Sequence, residues 1–208
     1  MSRLATLLSR FFTSSSTNNI RDLPDRRALA NIYLPALAAR GRRILWVGCR
    51  RYTAADYPVL ERQGAEVWTT DIDPRAARWG RSGRHRTGDI CEADQIFYDL
   101  SFDAIVCNGV LGFGVDQPND QERAMAAMAA ILKPGGLLLL GWNTDKIADP
   151  LELPRFGHFY TPVSLGAAPS RMRFDAVTHV YDALERIPLS PKKKRRSPPK
   201  IRHDQRFA

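Results

Sequence analysis

Short apolar runs recur along the chain, and longer segments with apolar residues at helical spacing separate them. The runs show no strict two-residue alternation, which is typical of strands that helices cover on both faces of a parallel sheet. A short strand is also expected before Gly88, and the last strand, over residues 177–184, is expected to be antiparallel. The other predicted strands span residues 43–47, 66–70, 103–107 and 137–142.

Helical segments lie between these strands. Residues 22–40 predict a helix that Pro35 breaks, because proline removes an intrahelical donor. Asp73-Pro74 predicts a helix start, with a capping carboxylate followed by proline at the first position. The alternation of strand and helix predicts an α/β fold with a doubly wound, mostly parallel, Rossmann-like sheet and helices on both faces. A further helix over residues 121–132 is expected to begin after Asp120 as its cap and to bury Met125, Met128, Ala129 and Leu132.

The composition divides the chain into three parts. Residues 22–190 are expected to form one domain, in which residues 144–171, with four prolines, make an irregular excursion over the edge of the sheet. Residues 1–21 contain three arginines and no acid, which fits a short amphipathic helix with a polar linker or, alternatively, an organelle transit peptide. Residues 191–208 are expected to be a disordered basic tail.

Charge and cysteine content narrow the classes of function. The net charge of +9 is concentrated in residues 191–208, which hold eight of the 31 Lys and Arg residues, so residues 1–190 carry only +2. We therefore expect no nucleic-acid binding by the body of the protein, whereas the tail fits attraction to a polyanion. No apolar run approaches the roughly 20 residues of a membrane-spanning helix. The odd number of cysteines, Cys49, Cys91 and Cys107, predicts reduced thiols and a cytoplasmic protein.

Glycines and polar residues follow the predicted strands, where an open α/β sheet binds its ligand. In ILWVGCRRYT, Gly48 permits a sharp turn close to a ligand. Asp71, at the tip of the second strand, can accept hydrogen bonds from two ribose hydroxyls. Asp89-Ile90 offers an acid for an adenine amine beside an aliphatic surface, and Asn108 follows the fourth strand. GCRRYT lacks two glycines of the G-x-G-x-x-G motif that binds a pyrophosphate, which disfavours a dinucleotide.

The ordered motifs of residues 43–143 resemble the class I S-adenosylmethionine-dependent methyltransferases. The motifs are VGC, DIDP, GDI, FDAIVCNGVL and ILKPGGLLLLG, in that order. The resemblance implies S-adenosylmethionine as the cofactor and requires no metal. It implies that Gly48 lies beside the methionine moiety and that Asp71 binds the ribose. Asp89 and Ile90 would flank the adenine, and Asn108 would lie near the sulfonium. The same cofactor-binding set would include Cys49, Arg50 and Ile72.

Arg50 and Arg51 stand where the family has a second glycine. We hypothesise that one of them replaces the lost backbone contacts with a charge-assisted bond to the carboxylate of the cofactor. Two solvated arginines, or a loop that has lost its ligand, are the alternatives. Pro58 predicts that the next helix starts near Asp56, which makes the preceding loop long.

The sequence therefore predicts an enzyme that methylates a small-molecule or carbohydrate-like acceptor. Asn108 is not followed by the Pro-Pro-aromatic sequence with which nucleic-acid amino-methylating enzymes clamp a flipped base. His158 is the predicted catalytic residue, since histidine titrates near neutral pH, whereas His179 is expected to be structural or exposed. The alternative function is a non-catalytic, methyltransferase-like binding protein whose basic ends dock on an anionic partner.

Overall fold

The predicted apolar runs form the strands of one eight-stranded sheet. The computed structural model describes residues 20–188. Its strands are β1 Arg43–Val47, β2 Glu66–Asp71, β3 His85–Thr87, β4 Phe102–Asn108, β5 Leu132–Asn143, β6 Tyr160–Pro162, β7 Arg171–Phe174 and β8 Val177–Arg186. Its α-helices are α1 Pro24–Ala28, α2 Leu34–Arg40, α3 Tyr57–Glu61, α4 Ala93–Ile96 and α5 Pro118–Ile131, and single 3₁₀ segments occupy Thr53–Ala55, Pro74–Trp79, Ile90–Glu92, Pro150–Glu152 and Phe156–His158.

The strand order is β3-β2-β1-β4-β5-β8-β6, and β7 pairs with β8 beside this path. Strands β1 to β5 are parallel, and β8 is antiparallel to β5. The register aligns Asn108 with Gly141 and Asn143 with His179. The carboxyl ends of the parallel strands and the start of β8 therefore share one edge of the sheet, which confirms the predicted fold class.

Helices cover both faces of this sheet, as the unbroken apolar strands require. On one face, α4 and α5 pack on β4 and β5, and the predicted stripe of α5 is buried at Met125 and Met128. On the other face, α1, α2 and α3 pack on Trp46, Val106 and Leu139. Two apolar layers thus fix the central strands, so that the loops at their carboxyl ends start from rigid positions.

Two helix ends differ from the predictions. Pro35 does not break the first helix, because the π-helical turn Leu29–Tyr33 precedes it and the helix continues into α2. Pro35 lies in the first turn of α2, where a backbone N–H donor is not needed. Helix α5 starts three residues earlier than predicted, at Pro118 after Gln117, so Asp120 lies in the first turn and is not the cap. The Asp73 cap is confirmed, since its side chain accepts a hydrogen bond from the Arg75 amide.

The proline-rich residues 144–171 are less irregular than expected. They contain β6 and the start of β7, both of which pair with β8. Tyr160 pairs with Arg186, and the neighbouring Glu185 pairs with Leu137 at the inner end of β5. The segment therefore leaves the carboxyl edge after β5 and reaches the opposite edge of the sheet before it enters β6.

The described residues contain no helix that is long and apolar enough to cross a membrane. The predictions for the amphipathic start of the chain fall almost wholly outside residues 20–188, and those for the basic tail lie entirely outside them. The proposed division into a domain and two end segments stays a prediction.

Candidate functional site

A cleft opens at the carboxyl edge of the sheet. It lies where the loops after β1, β2, β3 and β4 meet, which is the usual ligand position in an open α/β sheet. Seven of the eight predicted cofactor-binding residues line the cleft: Gly48, Arg50, Asp71, Ile72, Asp89, Ile90 and Asn108.

The turn after β1 depends on Gly48. Its φ of 87° lies in the left-handed region, and its amide donates a hydrogen bond to the Thr70 carbonyl at 2.9 Å. Among residues 20–188, only glycines have a positive φ, so Arg50 and Arg51 follow Gly48 without backbone strain. Thr53 closes the loop, because its hydroxyl accepts from the Arg50 amide and donates to the Arg50 carbonyl, both at 2.9 Å. Helix α3 then starts at Tyr57 after Asp56, as predicted.

The carboxylate of Asp71 is the central polar group of the cleft, with its side chain 4% exposed. Its Oδ2 atom accepts from the Cys49 amide and from Nη1 of Arg50, both at 2.7 Å. Its Oδ1 atom accepts from the Asp73 amide at 2.9 Å. A carboxylate offers about four lone-pair positions, so three are used and one remains for a ligand hydroxyl.

Cys49 is the predicted cofactor residue that does not line the cleft. Its amide serves Asp71, but its side chain is fully buried behind the loop, with Sγ 3.6 Å from the Thr70 carbonyl oxygen. Burial raises the pKa of the Cys49 thiol to about 11, so the group stays protonated at neutral pH. Cys49 therefore shapes the loop and offers no thiolate to a ligand.

The adenine-side prediction falls on a second rigid turn. Asp89 caps the 3₁₀ segment after β3 by accepting a hydrogen bond from the Cys91 amide at 2.9 Å. Ile90 is 5% exposed and lies in the main apolar core, whereas Ile72 is 68% exposed above the cleft. An acid and two aliphatic side chains thus border one end of the cleft, which is a suitable wall for a planar base.

The other end of the cleft is formed by Asn108, whose Nδ2 donates to the Tyr181 hydroxyl at 3.2 Å. Its buried Oδ1 has no hydrogen-bond partner within residues 20–188. Gly141 makes this arrangement possible, because a Cβ there would clash with the Asn108 amide and lie 2.9 Å from Nε2 of His179. The absent side chain of Gly141 therefore lets Asn108, Tyr181 and His179 pack together behind the cleft.

Sequence reasoning assigned His179 a structural or exposed place, and the structure shows that it is buried with a defined tautomer. The Asp145 carboxylate accepts from the Thr178 hydroxyl at 2.7 Å, and Thr178 in turn accepts from Nδ2 of Asn143 at 2.9 Å. The Asn143 carbonyl oxygen then faces Nδ1 of His179 at 3.1 Å, so Nδ1 carries the hydrogen and Nε2 holds a lone pair. Burial, with help from the Arg26 charge, lowers the pKa of His179 to about 3.

The prediction of His158 as the catalytic residue is wrong in position. His158 lies in the 3₁₀ segment just before β6, at the opposite edge of the sheet from Asn108, and it does not line the cleft. Its exposed ring makes an edge contact with Phe159, at a centroid distance of 6.4 Å. Residues 144–171 carry it away from the site, because they cross the sheet before entering β6.

Several lining residues were missed because they stand in loops with no motif of their own. Tyr52 follows the two arginines, and Phe113 is 54% exposed at the mouth of the cleft. Five residues of the glycine-rich segment 109–116 line the cleft. They are Gly109, Val110, Phe113, Gly114 and Val115.

The fold and the cleft together define a class: an open α/β protein with a ligand cleft at the carboxyl edge of its sheet. Comparisons with known proteins agree and make the class specific. Residues 45–140 match the family model described as a methyltransferase domain. Residues 45–140, just under half of the chain, thus carry a methyltransferase domain of the class I, S-adenosylmethionine-dependent type, and S-adenosylmethionine is the cofactor that this domain implies.

Curated relatives include ubiquinone/menaquinone biosynthesis C-methyltransferases called UbiE. The protein of Cupriavidus metallidurans is 31% identical over 135 residues, covering 61% of this chain and 51% of that protein. The protein of Paraburkholderia phymatum is 36% identical over 93 residues, covering 42% of this chain and 36% of that protein. The chain thus spans about a third to a half of the length of these relatives.

Solved structures share the fold at lower identity. N-methyltransferase NodS from Bradyrhizobium japonicum WM9, in complex with S-adenosylhomocysteine, aligns with a TM-score of 0.62 at 20% identity and covers 88% of this chain and 97% of its own. A TehB-like methyltransferase from Corynebacterium glutamicum aligns with a TM-score of 0.55 at 21% identity, covering 83% and 98%. These likenesses establish the fold.

The residues at the cleft fit S-adenosylmethionine. The buried Asp71 keeps one lone-pair position for a ribose hydroxyl, and the cradle at Gly48 would be narrowed by a Cβ, which would lie 3.4 Å from Val110. Asn108 lines the opposite end, and its carbonyl oxygen is buried behind the cleft against Gly141.

Proposed function

We propose that the protein transfers the methyl group of S-adenosylmethionine to a small-molecule or carbohydrate-like acceptor. The observation that supports this most directly is the convergence of Gly48, Asp71, Asp89 and Asn108 on one cleft. These residues come from the ends of four different strands, so their meeting depends on the whole fold. The cofactor supplies an activated methyl group, and the protein has to align the acceptor with it.

The proposed residue roles follow the order of the cleft. Asp71 binds a ribose hydroxyl, Asp89 and Ile90 hold the adenine, and Gly48 allows the methionine moiety to approach the backbone. Asn108 lies at the reacting end. His158 has no role in this proposal, because the structure places it at the other edge of the sheet.

The acceptor is proposed to be small because the described residues form one compact domain with no inserted substrate domain. The names of the UbiE relatives describe C-methylation in quinone biosynthesis. The chain covers at most about half of those proteins, so their acceptor is one member of the panel to test. A cytoplasmic location is part of the proposal and is supported by the three buried free thiols, Cys49, Cys91 and Cys107.

Calorimetric titration with S-adenosylmethionine and S-adenosylhomocysteine tests the proposal. Micromolar binding of both is expected. Asp71→Asn should weaken both by about tenfold, because it removes the charge from a buried hydrogen-bond acceptor. Asp99→Asn is the matched control, since Asp99 is an exposed partner of Arg86 outside the cleft.

Transfer of a labelled methyl group to sugars, amines, phenols and quinols then identifies the acceptor. If neither S-adenosylmethionine nor S-adenosylhomocysteine binds, the enzyme proposal fails. The alternative, a non-catalytic binding protein that docks through its basic ends, would then be tested by deleting residues 191–208 and measuring salt-sensitive association with a polyanion.

A further inference from the structure

A second cavity opens beside the cofactor cleft. Tyr52 lines both cavities, so one aromatic ring separates them. The second cavity lies between the start of α1 and the loop that leads into α3. It is on the same side of the cofactor cleft as the turn at Gly48. We call it the arginine pocket; the residues that matter for its chemistry are Arg21, Arg26, Arg27, Asn31, Tyr52 and Asp56.

The arginine pocket is lined by more basic than acidic side chains, and each of its arginines has an aspartate within 3.5 Å. Three arginines and one aspartate line it. Arg21 bonds Asp56 at 2.9 Å, and the more exposed Arg27 is 3.5 Å from Asp22, which does not line the pocket. Guanidinium groups present forked donors that match the oxygens of phosphate and carboxylate groups, so this excess of arginine is suited to an anion.

Arg26 is held in a fixed orientation at the boundary with the cleft. Its guanidinium lies over the Tyr52 ring at 5.3 Å from the centroid, and its Nε is 3.4 Å from Asp25. A cation stacked on an aromatic ring loses less freedom when it binds a ligand. The Arg26 charge is therefore already placed beside the wall that the two cavities share.

Asp56 occupies the arginine pocket at an energetic cost. Burial raises the pKa of its carboxyl to about 6, although the charges of Arg21 and Arg26 lower it. Its side chain caps no amide at the start of α3, so that helix does not need it. The carboxylate of Asp56 thus takes the place on Arg21 that a ligand anion would use.

We propose that the arginine pocket binds an oxyanion, of the phosphate type, that belongs to the methyl acceptor. This inference rests on the proposed methyl transfer, because it makes the arginine pocket the anchoring part of the acceptor site. The anion binds Arg21, Arg26 and Arg27, and the rest of the acceptor passes Tyr52 into the cleft toward Asn108. The acceptor class is then a phosphorylated small molecule, such as a sugar phosphate.

Binding of pyrophosphate to the full-length protein, saturated with S-adenosylhomocysteine, tests this inference by calorimetry. Arg21→Gln and Arg27→Gln should each weaken binding by about fivefold, as expected for partly exposed charge-assisted bonds. Asp56→Asn should strengthen it, since the competing carboxylate is removed. Arg40→Gln is the matched control, because Arg40 is about as exposed as Arg21 and pairs with Glu185 away from both cavities.

The outcomes separate the two proposals. If S-adenosylhomocysteine fails to bind, the methyltransferase proposal fails, whatever pyrophosphate does. If it binds but Arg40→Gln weakens pyrophosphate as much as the pocket variants do, the anion is attracted by general charge and the arginine pocket is not its site. Acetate in place of pyrophosphate, if it bound equally well, would overturn the phosphate assignment. Affinity for S-adenosylhomocysteine also reports whether each variant is folded.

Discussion

The ion pair between Arg50 and Asp71 leads to a prediction about how the cofactor enters. Arg50 donates to the carboxylate that is proposed to bind ribose, and its own side chain is 56% exposed. We expect Arg50 to leave Asp71 when the cofactor binds and to donate to the carboxylate of the methionine moiety. Arg50→Ala should then weaken S-adenosylhomocysteine and free a second lone-pair position on Asp71.

The size of the effect follows from two opposing terms. A hydrogen bond between charged groups contributes about 1.5–3 kcal/mol. Breaking the half-exposed pair with Asp71 costs up to about 1 kcal/mol, in line with exposed ion pairs. The net loss in Arg50→Ala is about 0.5–2 kcal/mol, which corresponds to roughly 2- to 30-fold weaker binding.

Calorimetry with two ligands isolates the role of the carboxylate. S-adenosylhomocysteine has the amino-acid moiety, and methylthioadenosine lacks it. Arg50→Ala should weaken the first and leave the second unchanged or slightly tighter. Arg51→Ala is the matched control, because Arg51 is exposed and does not line the cleft. Equal or tighter binding of S-adenosylhomocysteine to Arg50→Ala would refute the reasoning and leave Arg50 as a residue that only covers Asp71.

Two further predictions concern stability in denaturant unfolding. Asp182→Ala should lower the free energy of unfolding by about 3 kcal/mol, because both donors to this fully buried carboxylate would lose their acceptor. The donors are Trp142 at 2.8 Å and Arg171 at 2.6 Å. A decrease below about 1 kcal/mol would contradict this. The pKa of His179 is about 3 in the folded protein, against an ordinary value of 6.5. As the pH drops from 6.5 toward 3, this histidine is protonated in the unfolded chain but not in the folded protein, so the folded protein becomes less stable. The stability penalty of His179→Asn should therefore shrink by about 2 kcal/mol between about pH 7 and about pH 5, and a penalty that stays the same would argue against a buried neutral ring.

The sheet could be predicted from the sequence because its central strands are buried on both faces and are therefore continuous apolar runs in the sequence. It was less informative about short elements that depend on a partner. Strand β6 has three residues, and it exists because β8 offers it an edge. The π-helical turn before Pro35 likewise depends on packing against β8, where Tyr33 lies 5.1 Å from the Tyr181 ring.

The polar residues that line the cleft could be predicted because each follows a strand whose direction the βαβ rule fixes. Gly48, Asp71 and Asp89 meet for that reason. Cys49 was assigned to the ligand set together with its neighbours in the VGC motif, whereas its side chain is fully buried. The arginine pocket had no sequence signal, since Arg21 and Asp56 are 35 residues apart and meet only in the folded chain.

The two histidines show which rule was missing from the sequence argument. His158 was chosen for the chemistry of its side chain and not for its position, and residues 144–171 are long enough to cross the sheet, since about seven residues of strand span only about 23 Å. His179 lies at the start of an antiparallel strand, and such a strand begins at the edge where its parallel neighbour ends, as the pairing of Asn143 with His179 shows. The first residues of a final antiparallel strand in an open α/β sheet should therefore be examined together with the ends of the parallel strands.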